Sequence, residues 1–109
     1  MSDVIERTVF RELQDTAGAD FVAELVGTFL EEAPGMLAAL RAAHAVGDAD
    51  AFRRAAHSLK SNSLTFGAAE LAAAARALEL GGIGSADALD ALQRHYDAAA
   101  AALQELRNA

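Results

Sequence analysis

A histidine stands on the polar side of an amphipathic stretch running from Phe52 to Gly67, followed by a lysine one turn later and by small residues: His57, Lys60, Ser61, Asn62 and Ser63. With each helical residue advancing about 100°, Phe52, Ala55, Ala56, Leu59, Ser63 and Phe66 collect within about 60° of Leu59, and that face is expected to be buried. On the same wheel His57 falls about 160° from Leu59, with Arg53, Arg54, Lys60, Ser61 and Leu64 as neighbours. The core has no need of this histidine, so its surroundings must explain it. They suit one task, accepting a phosphoryl group and passing it on. An imidazole with a pKa of about 6.5 is largely neutral near pH 7, and with Nδ1 protonated its Nε2 lone pair can attack phosphorus without a general base. Lys60 reaches the phosphoryl oxygens and offsets their charge. Ser61 is small enough to leave the in-line approach open. Leu64 is expected to stand exposed beside the site, as a docking surface would require.

Other chemistries fare worse. His44 falls at the margin of an apolar stripe, and His95 sits beside Tyr96 at the edge of another, so boundary packing explains both. The three histidines share no metal-ligand spacing and there is no cysteine, which excludes a zinc site, a thiolate nucleophile and a disulfide framework. The run Gly81, Gly82, Ile83, Gly84, Ser85 lacks the ending of a phosphate-binding loop and follows a helix, so it closes that helix and the chain has no ATP site of its own. Glu31 with Glu32, and Asp87 with Asp90, read as helix-terminal charges. A net charge of −7 argues against nucleic acid and for a protein partner. Arg53, Arg54 and Lys60 form a local basic exception on that acidic chain.

The elements that must carry His57 are all helical: alanine and leucine dominate, and sustained alternation is missing. Ser2 and Asp3 are expected to cap a first helix carrying Val4, Ile5, Phe10 and Leu13 and stopping at Gly18; Asp20 is expected to cap a second. In the second, Phe21, Leu25, Val26, Phe29 and Leu30 form a stripe that runs out at Pro34, where a third helix begins with Leu37, Leu40 and Ala43 inward. Gly47 ends it and Asp48 caps the helix of His57, which ends near Gly67. A fifth helix, Ala68 to Leu80, turns Leu71, Ala74, Ala75 and Leu78 inward. Ser85 caps the last, whose seam is Leu89, Leu92, Tyr96, Ala99, Leu103 and Leu106. Short connections predict an antiparallel, up-and-down bundle in one domain spanning residues 1–109. The amino terminus lacks a secretory pattern, and the alanine tract Ala98 to Ala102 falls far short of the roughly 18 apolar residues of a membrane span. The protein is expected to be cytoplasmic.

From Phe52 to Leu71 the sequence resembles the histidine-containing phosphotransfer (HPt) domains of multistep phosphorelays. The shared pattern is the histidine, an apolar residue two positions on, the lysine, small residues and a later glycine, here His57, Leu59, Lys60, Ser61 to Ser63 and Gly67. Phe29 to Pro34 and the Gly47, Asp48 junction are similar too. One departure is Ser61, where the family commonly has glycine; access is expected to survive with altered partner preference. The resemblance implies a four-helix bundle with one or two short additional helices, and a structural place for Gly67. It also implies that His57 takes phosphate from one receiver-domain aspartate and hands it to another, with Lys60 in support. Arg53, Arg54, Ser61 and Leu64 would form the docking surface for receivers and for a hybrid sensor histidine kinase. Mg²⁺ would belong to the receiver, and this chain would bind no cofactor and act as a stoichiometric carrier, not a kinase. A monomeric, freestanding relay protein is the expectation. The alternative is a helical adaptor that binds a receiver or kinase without being phosphorylated.

Overall fold

A computed structural model describes residues 4–108, and among them five helices and no strand are found. They are α1 (Arg7–Ala17), α2 (Ala19–Val46), α3 (Ala49–Thr65), α4 (Ala69–Gly81) and α5 (Ala86–Asn108). The long helices α2 to α5 form the antiparallel bundle, and short α1 packs against α2 and α3. The expected caps Ser2 and Asp3 lie outside the described residues.

The break expected at Pro34 does not occur. Proline inside a helix removes one hydrogen bond and crowds the carbonyl four residues back, at a cost of about 3 kcal/mol. Against that, Val22, Val26, Phe29, Ala33, Leu37 and Leu40 are buried in one continuous row that crosses Pro34. Full burial of a large apolar side chain contributes about 1.5–3 kcal/mol, so several such residues on one continuous helix outweigh the proline. Pro34 itself is exposed. The same row corrects the reading of Phe21, which is 52% exposed: the buried face starts from Val22, one residue around the helix. Asp20 also does not cap α2. The helix starts at Ala19 after Gly18, with Asp20 in its first turn, where a carboxylate favours the positive end of the helix dipole. Val4 and Ile5 precede α1, yet Ile5 is buried in the core.

Other boundaries follow local chemistry. Gly47 ends α2 in the left-handed region at φ 71°, and Asp48 caps α3 by accepting a 3.0 Å hydrogen bond from the Ala51 amide. Ser85 accepts from Ala88 at the start of α5. Phe52, Ala56, Leu59 and Ser63 are fully buried along α3, facing Leu71 and Ala75 of α4 and Leu89, Leu92, Tyr96, Ala99 and Leu103 of α5 within one core. Ser63 is a buried polar side chain whose hydroxyl donates to the Leu59 carbonyl at 2.6 Å, so it costs no unsatisfied group. Phe29 joins Phe66 and Tyr96, with ring centroids 5.5 and 6.2 Å apart.

Candidate functional site

With Leu59 sealed in the core, the opposite side of α3 is open, and the His57 side chain there is 57% exposed. Its Nδ1 hydrogen-bonds to Oε2 of Glu79, on α4. A carboxylate only accepts, so the proton of this bond sits on Nδ1. That leaves Nε2 with no protein partner among the described residues. The other carboxylate oxygen of Glu79 accepts a 2.7 Å bond from Lys60 Nζ. Glu79 is only 11% exposed and Lys60 20%, so the carboxylate is held from two sides at the seam between α3 and α4. The hydrogen bond from Lys60 chiefly holds the Glu79 carboxyl below the usual carboxylate range, and the bond from His57 adds to this; partial burial opposes both. Glu79 is therefore ionised at neutral pH.

The other predicted positions divide. Ser61 and Leu64 are exposed on the His57 side of α3, Leu64 by 57%. The polar groups near them turn back onto their own helix, Asn62 donating to the Ser58 carbonyl and Thr65 to the Ser61 carbonyl. Arg53 and Arg54 are exposed, but both reach back to Asp50 in the first turn of α3, at 3.0 and 3.3 Å. The Arg53 hydrogen bond and the Arg54 charge hold the Asp50 carboxyl below its ordinary value. The basic patch is thus partly neutralised from within the helix. Beside it, a groove of about 550 Å³ between α2 and α3 is lined by Glu32, Gly35, Met36, Ala39, Arg54 and Ser58, among others. Gly67 follows α3 at φ 78°, and a Cβ there would sit 3.0 Å from both the Glu6 carbonyl and the Val9 side chain. The two other histidines lie at helix margins and make polar contacts: His44 Nε2 donates to the Gly84 carbonyl at 2.8 Å, and His95 lies 4.0 Å from Glu70.

Glu79 was not among the residues singled out from the sequence. A usable signal exists in the hairpin geometry of α3 and α4. Ala68 lies eleven residues after His57 and eleven before Glu79, so two antiparallel helices turning there bring them level. Glu79 also follows Ala75 by four residues, which puts it at the rim of the buried stripe.

Fold and site together define an all-helical bundle that displays one carboxylate-tethered histidine on the open side of a helix hairpin. The chain belongs to the Hpt domain family, whose model matches residues 24–109, from within α2 to beyond α5. Members of this family are phosphocarriers that serve histidine phosphotransfer in phosphorelays and interact with receiver domains and kinases. No curated protein and no solved structure matches the chain significantly. No helix among the described residues is long and apolar enough to cross a membrane.

Proposed function

We propose that this chain relays a phosphoryl group between aspartates of receiver domains through Nε2 of His57. The observation that carries the reading is the tether on the other ring nitrogen: Glu79 accepts the hydrogen bond from Nδ1–H and turns an exposed imidazole so that its lone-pair nitrogen has no competing protein partner among the described residues. In the charging step the Nε2 lone pair attacks phosphorus, the Nε2–P bond forms, and the P–O bond to the donor aspartate breaks with its electron pair on that carboxylate. Lys60 supports the arriving charge from one turn away, exchanging part of its contact with Glu79 for a phosphoryl oxygen. Ser61 keeps the approach low, and Leu64, Arg53 and Arg54 meet the partner around it. In this reading Mg²⁺ is held by the receiver, and the chain is a stoichiometric carrier acting in the cytoplasm.

The test is intact-mass analysis of the chain after mixing with a phosphorylated receiver and Mg²⁺, run beside His57→Gln. One acid-labile phosphate on the wild type and none on a folded His57→Gln is the expected result. If receivers bind tightly yet deliver no phosphate to the wild type, the adaptor reading replaces this one.

A further inference from the structure

We infer that α1 is exchangeable between two copies of this chain, with Gly18 as the hinge: when the backbone there turns helical, α1 and α2 run on as one helix, and each copy's α1 closes the bundle of the other. The surface that receives α1 is the end of the bundle beside Gly67. Ile5 and Phe10 are buried there, Leu13 packs against the same core, and the Glu6 amide donates to the Gly67 carbonyl at 2.8 Å. What fits this surface is therefore known: a helix presenting those residues, which its own chain supplies through a connection one residue long. The exchange leaves the seam between α3 and α4 untouched, so it stands apart from the relay reading.

The junction is nearly helical already. The Gly18 amide donates to the Gln14 carbonyl at 2.7 Å, and the Gly18 carbonyl accepts from the Val22 amide at 3.0 Å, the four-residue spacing of a helix on both sides. One backbone conformation separates the two helices, φ 94° with ψ 140° at Gly18, which residues bearing a Cβ rarely adopt. No side chain caps the start of α2, whereas Asp48 and Ser85 mark the starts of α3 and α5. Helical angles at Gly18 would make Arg7 to Val46 a single rod about 60 Å long. On that rod α1 points away from its own bundle, and its apolar face can be covered only by another copy. A two-fold pair covers both at once. The contacts of α1 with α2 and α3 are then remade between chains, so the hinge and the chain concentration set the balance. Glycine at 18 admits the bent form, which closes without the cost of association and keeps the dilute chain monomeric.

Gly18→Ala in the full chain is the direct test, because a Cβ at this position meets nothing within 4 Å. Alanine is opposed there by the backbone angle and not by lack of room. At micromolar concentration wild type is expected to sediment as a monomer and Gly18→Ala at twice the chain mass. Three glycines inserted after position 18 of the Gly18→Ala chain let α1 fold back and are expected to restore the monomer. When ¹³C-labelled and unlabelled Gly18→Ala are unfolded and refolded together, isotope-filtered NOEs are expected between Phe10 of one copy and the bundle core of the other. A monomeric Gly18→Ala overturns the inference, and so does a dimer without those cross-chain contacts, which would be joined through some other surface. Wild type supplies a second measurement that does not depend on the variant folding. Refolded from urea at millimolar concentration, it is expected to give a dimer fraction that rises with chain concentration and shows the same cross-chain contacts; refolding to monomer alone at every concentration overturns the inference.

Discussion

His57 owes its readiness to two residues that act on it differently. In the proposed relay Lys60, a neighbour on the same helix, supplies charge, and Glu79, from the next helix, supplies direction. In the same proposal Ser61 acts by what it lacks, since a long side chain one turn beyond His57 would lie across the line of attack. We therefore expect Ser61→Arg to change stability by less than about 0.5 kcal/mol, because the position is exposed, while obstructing phosphoryl exchange with a receiver. Denaturant titration and transfer kinetics on the same preparation check both halves. An unchanged transfer rate would remove Ser61 from the account. Much of this site was legible from spacing alone: the placement of His57, Lys60, Ser61 and Leu64 on one side of α3 needs only the helical repeat. The pull of Asp50 on Arg53 and Arg54 is legible in the same way, being a contact within about one helix turn.

Among the helices, α2 is where local signals and packing conflict. A glutamate pair followed by Pro34 resembles a helix end, and local propensity by itself would stop the chain there. The buried row from Val22 to Ala43 continues through it because residues from both halves join one core, with α2 packed against α3 and α5. Pro34→Ala is therefore expected to leave the fold intact and to stabilise it by about 1–3 kcal/mol, the interior cost of proline in a helix. The urea midpoint should rise with an unchanged slope. A fall in stability would mean that the proline ring makes packing contacts worth more than the missing hydrogen bond. Where signals agreed, at Asp48, Gly47 and Ser85, each boundary lies where its side-chain or glycine chemistry puts it.

The bundle as a whole is closed at one end by the amino-terminal segment. The Glu6 amide donates to the Gly67 carbonyl at 2.8 Å, Ile5 and Phe10 enter the core, and the absence of a side chain at Gly67 lets this segment pass against the end of α3. An alanine at Gly67 would have to adopt a left-handed backbone, at roughly 1–2 kcal/mol, and would also press on Glu6 and Val9. Gly67→Ala is expected to destabilise the protein by about 2–4 kcal/mol and to raise amide exchange in α1 above that in α5. Equal exchange in the two helices would show that the segment does not depend on this contact. The residues Val4 to Ala17 precede the matched Hpt stretch, so this closure is built on chain outside the family pattern.

The amino-acid sequence by itself determined an all-helical chain, most helix boundaries, the inward stripe of α3 and the histidine with its lysine on the opposite side. Those are properties of residues within four of one another, for which the helical repeat is a sufficient ruler. Tertiary structure decided the rest: that α2 runs unbroken through Pro34, that Phe21 faces out, and that a carboxylate from α4 holds the imidazole. Each depends on which helices meet and at what level, and burial across those meetings outweighs local preference. Glu79 has an ordinary place in its own helix and acquires its bearing on His57 only when the chain turns at Gly67 and Ala68 and lays α4 beside α3.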